Sequence, residues 1–125
     1  MYDSPYSNIT YDQKINAVIC TWKQICDAEN YHMTMLEGIN KVIKTQSKSW
    51  IEDFLEDVDK IPEDLEWFVN SFLPLTIENS IEYIYFVMRP ECTIKKDIEM
   101  RAELYKDFFN VKIFSSLEEA CAALC

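Results

Sequence analysis

Trp50-Ile51-Glu52-Asp53-Phe54-Leu55-Glu56-Asp57-Val58-Asp59-Lys60-Ile61-Pro62-Glu63-Asp64-Leu65-Glu66-Trp67 decides how this chain reads. Its first part, Trp50 to Leu55, has the pattern of a strand. An acidic loop follows, and Pro62 fits the first turn of a helix, where its missing N–H costs nothing. Residues 52–66 carry eight acids against one base, Lys60, which is −7 of the whole chain's −10. Glu63 and Asp64 would lie at the positive end of the helix dipole. Leu65, Phe68, Val69 and Phe72 would form that helix's buried face, and Pro74 predicts a kink or break near Asn70.

Working back toward the N-terminus, Asn8 to Gln13 reads as a polar edge strand, with Ile9 and Tyr11 alternating. Ala17 to Lys23 is apolar on both faces, as a central strand should be. Asp27 caps a predicted helix over Ala28–Thr45, whose stripe of His32, Met35, Leu36, Ile39, Val42 and Ile43 recurs at spacings of three and four. His32 on that stripe reads as a packed or half-exposed core residue.

Toward the C-terminus, Ile81 to Met88 is β-branched and aromatic throughout, a strong strand signal. Thr93 caps a predicted helix of about Ile94 to Phe109 that presents Ile94, Ile98, Arg101, Ala102, Tyr105 and Phe108 along one face. Val111 to Phe114 reads as a short last strand. Ser115-Ser116-Leu117-Glu118 reads as a capping box before a final helix that buries Leu117, Ala120, Cys121 and Leu124. The expected fold is α/β: a mostly parallel five-stranded sheet with four helices, in the order β-β-α-β-α-β-α-β-α.

Composition narrows the function classes. The 125 residues suit one domain, which should bury roughly 65% of its unfolded surface. An acidic chain lacks the cations that drive binding to nucleic acid or anionic membranes. The start, Met1-Tyr2-Asp3-Ser4-Pro5, has no basic region followed by an apolar run, so no secretion signal is expected. Five cysteines, Cys20, Cys26, Cys92, Cys121 and Cys125, include no Cys-x-x-Cys pair and have one histidine to join them. Reduced thiols in a cytoplasmic protein are the expectation, with no metal and no cofactor.

Three groups of residues are candidate sites. Asp53, Glu56, Asp57, Asp59 and Glu63 form an acidic corner suited to docking a partner. A calcium loop would need a glycine near Asp57 and Asp59, and none is there. Tyr83 and Tyr85 share one face of their strand with Val87. If all helices lay on the other face, these aromatics would form an open surface for a partner or for self-association. Trp50 or Trp22 would join it, depending on register. Asp53 and Cys92, near carboxyl ends of strands, are the only candidates for chemistry, since no glycine-rich phosphate loop or nucleophile motif occurs.

The segments Trp50-Ile-Glu-Asp53, Ile61-Pro-Glu-Asp64-Leu-Glu-Trp67, Phe72-Leu-Pro74 and Phe114-Ser-Ser-Leu-Glu-Glu-Ala120-Cys-Ala-Ala-Leu124 resemble those of small bacterial STAS-like (SpoIIAA-like) proteins. The resemblance in element order runs from Asn8 onward. It implies a β-α superhelix with an added N-terminal strand, and a non-catalytic interaction or regulatory role. The better-known relatives carry a phosphorylated serine in the loop after the third strand. Here that loop, Leu55 to Pro62, has no Ser, Thr or Gly, so the phosphoswitch does not carry over. Other similar folds hold lipids or small molecules, which makes a carrier with an apolar pocket between sheet and helices the alternative.

Overall fold

The computed structural model describes residues 2–24, 27–54 and 65–125. Two antiparallel links open a six-stranded sheet whose order follows the chain: β1 (Tyr2–Asp3), β2 (Ser7–Asp12), β3 (Ala17–Trp22), β4 (Ser49–Asp53), β5 (Tyr83–Val87) and β6 (Asn110–Phe114). From β3 to β6 every pairing is parallel. The helical connections are α1 (Ala28–Thr45), α2 (Leu65–Trp67) running through a π-helical turn (Phe68–Phe72) into α3 (Leu73–Ile77), and α4 (Lys95–Lys106); α5 (Leu117–Ala122) follows β6. The sheet thus has one strand more than the sequence predicts. The extra strand, β1, is two residues long and is held by the Lys23–Asp3 ion pair beside its pairing with β2.

β4 lies between β3 and β5, with Ile51 in register with Ile19 and Tyr85. Strands that step one way, with crossovers of one hand, place every crossover helix on one face. The core agrees. Val18, Cys20, Trp22, Trp50, Ile84 and Phe86 pack against Tyr31, Met35, Ile39 and Val42 of α1, Phe68 and Phe72 of the π turn, and Ile98, Ala102 and Tyr105 of α4. Each such side chain, fully buried, stabilises the fold by about 1.5–3 kcal/mol. Alternation along the strands sends Ala17, Ile19, Ile51, Tyr85 and Val87 to the opposite face, where α5 meets them through Ala120.

Local chemistry explains most boundaries. Asp27 caps α1 by accepting from the Asn30 N–H at 2.9 Å. Pro74 has no N–H to give, and the chain answers with a π turn: the Leu73 N–H reaches back to the Phe68 carbonyl, and Pro74 falls in the first turn of α3. The helix continues, so the predicted kink is a widened turn. Several details differ from the sequence reading. Phe68 and Phe72 are buried as their spacing predicts, but Leu65 and Val69 are exposed, because the widened turn rotates them off the buried face. Ser116, not Ser115, caps α5, accepting from the Glu119 N–H at 3.1 Å. α4 starts at Lys95 with no side-chain cap bond on Ile94. Phe108 lies beyond α4 and is 55% exposed, not part of a buried stripe.

Candidate functional site

β4 carries Trp50 and Glu52 toward the helices, and Glu52 ends 1% exposed. A carboxyl group buried this deeply needs partners. It has two indoles: Trp50 Nε1–H donates to Oε1 at 3.0 Å, and Trp22 Nε1–H donates to Oε2 at 3.2 Å. Burial raises the Glu52 pKa, against the opposing pull of the Trp50 and Trp22 bonds and of the Arg101 charge. Arg101 is itself buried on α4, with its guanidinium carbon 5.6 Å from the centre of the Phe68 ring.

Two phenols complete the cluster. Burial, then the nearby Glu52 charge, pushes the Tyr31 and Tyr105 hydroxyls up in pKa, so both stay neutral donors. Arg101 approaches the Tyr31 hydroxyl and Thr76 approaches that of Tyr105, yet neither pair reaches hydrogen-bond geometry. Tyr31 Oη, Tyr105 Oη and Arg101 Nε are thus buried without a hydrogen-bond partner among the described residues. The arrangement is a neutral-to-charged polar knot inside an apolar core. Its hydrogen bonds link β3 to β4, while Tyr31 of α1 and Arg101 and Tyr105 of α4 lie close by.

The residues singled out from sequence fall in different places. Asp53 ends β4, 7% exposed and in register with Thr21 and Val87. Glu56, Asp57, Asp59 and Glu63 lie outside the described residues. Tyr85 is 3% exposed, and its ring meets Phe114 at 5.0 Å and Tyr83 at 6.1 Å. The expected open aromatic face is therefore covered, and the cover is the C-terminal helix: α5 packs over Tyr85, with half-buried Tyr83 at the margin. Trp50 and Trp22 face the other way, into the helix layer. His32 stacks face to face on Trp67, ring centres 4.0 Å apart. Cys92 is half-buried, with Sγ 3.7 Å from Met88 Sδ. Among the described residues, no group of three or more His, Cys, Asp or Glu could hold a metal ion. Nor is any helix among them long and apolar enough to cross a membrane.

An edge that the sequence reading did not single out is the more accessible feature. β6 is the last strand of the sheet. The Asn110 N–H donates to the Glu82 carbonyl, and the Phe114 carbonyl accepts from the Met88 N–H. In a parallel ladder, alternate residues bond the neighbouring strand. Asn110, Lys112 and Phe114 therefore bond inward, while Val111 and Ile113 turn their N–H and C=O groups to the other side, where no strand pairs with them among the described residues. Ile113 is 39% exposed. Two shallow grooves run along this edge beside α4, of about 280 and 380 Å³, and both are lined by Glu99 and Ile113. The edge position was the missing signal, because a strand's place in a sheet is not written in its own residues.

No known protein family matches the chain, and no curated protein matches it either.

Proposed function

We propose that the protein is a non-catalytic, STAS-like interaction module of the cytoplasm that docks another protein along β6 and α4. One observation carries this reading: an edge strand with its Val111 and Ile113 backbone groups turned outward, beside a groove walled by α4. Unpaired edges recruit other chains unless they are blunted or covered. The STAS-like assignment draws support from the one-way parallel run β3–β6 and from the place of β4 inside it. The net charge of −10 favours a basic partner. The test is affinity capture from the native host with wild type, Ile113→Pro and, as a control at an exposed position of α1, Met33→Glu. A partner held by wild type and Met33→Glu but lost from Ile113→Pro supports the reading. Equal capture by all three contradicts it.

A second reading, a small-molecule carrier, has its own observation: the buried Tyr31, Tyr105 and Arg101 atoms that have no hydrogen-bond partner among the described residues. Extraction of the purified protein followed by mass spectrometry tests it. A stoichiometric small molecule lost from Tyr31→Phe/Tyr105→Phe supports a carrier, and its absence from wild type argues against one.

A further inference from the structure

We infer that the cluster around Glu52 holds one buried water molecule, which accepts the Arg101 Nε–H and bridges it to the Tyr31 and Tyr105 hydroxyls. The water site is independent of the docking reading. Arg101, Tyr31 and Tyr105 are each at most 4% exposed, and Arg101 Nε and the two Oη atoms have no hydrogen-bond partner among the described residues. The Nε–H can only donate, so it needs an oxygen with a free lone pair. Each phenol can donate and accept.

The three atoms share one neighbourhood. The charges of Glu52 and Arg101 act on both hydroxyls, and Tyr31 acts on Tyr105. The walls around them are aromatic: Trp22 stacks on Tyr31 at 5.5 Å, Phe68 meets Tyr105 edge-on at 5.3 Å, and the Arg101 guanidinium lies over Phe68. A buried water is held by two to four polar partners. This one accepts from the Arg101 Nε–H and from one phenol. It donates to the other phenol oxygen and to Glu52, whose two oxygens each take one indole and keep a lone pair.

Other occupants fit less well. The cluster already sets the Glu52 carboxyl group near the Arg101 guanidinium, so an added anion would face Glu52. The grooves of about 280 and 380 Å³ lie along β6, and neither is lined by Tyr31, Arg101 or Tyr105. The direct hydrogen bonds of the cluster join β3 to β4. The water adds α1 through Tyr31 and α4 through Arg101 and Tyr105. Because α4 walls the groove beside β6, the bridge also fixes that wall against the sheet.

Two measurements on the full chain test the site. A crystal grown in sodium bromide should show a water within hydrogen-bond distance of Arg101 Nε and of at least one of the two Oη atoms, with no anomalous bromide signal there. Oxygen-17 relaxation dispersion should detect it as a long-lived internal water. Tyr31→Phe and Tyr105→Phe each remove a hydroxyl and keep the ring, and each should shorten its residence roughly two- to tenfold, the effect of one hydrogen bond. Tyr85→Phe, on the opposite face of the sheet, should leave it unchanged. Arg101 Nε bonded directly to a protein oxygen would overturn the inference, as would equal residence in wild type and both cluster variants. A bromide peak would make this an anion site instead, and an organic molecule bound there would replace the water with the carrier reading.

Discussion

Gly38 lies directly under the six-membered ring of Trp50, so close that a Cβ there would come within 2.6 Å of Cζ3. α1 can approach β4 only because this position has no side chain. Gly38→Ala should therefore cost about 1–3 kcal/mol by overpacking, despite alanine's better helix propensity. Urea unfolding checks it. Pairing the change with Trp50→Phe should recover part of the loss, although that variant also removes one Glu52 hydrogen bond.

Glu52 links stability to pH. Its folded pKa is raised above the ordinary 4.5 by burial. The folded protein then holds a proton that the unfolded chain has released. This contribution is full below pH 4.5 and declines as pH rises through the folded value. Against Glu52→Gln, which has no proton to lose, wild type should lose relative stability as pH increases from 4.5 upward. Arg101→Met removes the nearby positive charge and should extend the decline to higher pH. Urea midpoints across that range test this, and parallel curves for wild type and Glu52→Gln would contradict it.

Tyr85 belongs to a buried layer beneath α5. Tyr85→Glu should place an uncompensated charge there and cost about 3–5 kcal/mol. Tyr83→Glu, at the half-buried margin, should cost far less. Denaturation midpoints measure the difference. Light scattering should show that folded Tyr85→Glu keeps the oligomeric state of wild type, because this face is internal.

Ser116 and Ser115 compete as caps in sequence but not in space. Ser116→Ala should destabilise by about 1 kcal/mol, the usual loss for a helix N-cap. Ser115→Ala should lose less, since its hydroxyl bonds only the Glu119 side chain. Thermal unfolding of the two variants decides between them.

What was legible in the sequence was what one segment states about itself. α1 runs over Ala28–Thr45, as the Asp27 cap and the spacing of Met35, Ile39 and Val42 predict. The run of β3, apolar at nearly every position, marks an internal strand. β1 was missed because Tyr2–Asp3 has no hydrophobic pattern. Periodicity showed that α5 has an apolar side, but not which face of the sheet it would cover. Glu52 could be flagged as a charge needing a partner. Its partners, Trp22 and Trp50, became visible only when the register put all three on the helix side. Phe108 shows the opposite error: helical spacing continued on paper past the point where the helix ended. The β6 edge is a property of the whole sheet, so no local pattern announced it.

The alternation along β6 carries the functional account, and residue-resolved amide hydrogen exchange on the free protein reads it directly. Val111 and Ile113 should exchange fast, while Lys112 and Phe114, bonded to β5, exchange slowly; protection of Val111 and Ile113 should then appear on adding the captured partner protein. Val111 and Ile113 already as protected as Lys112 in the free monomer would mean that the edge is not open, and the account would fail.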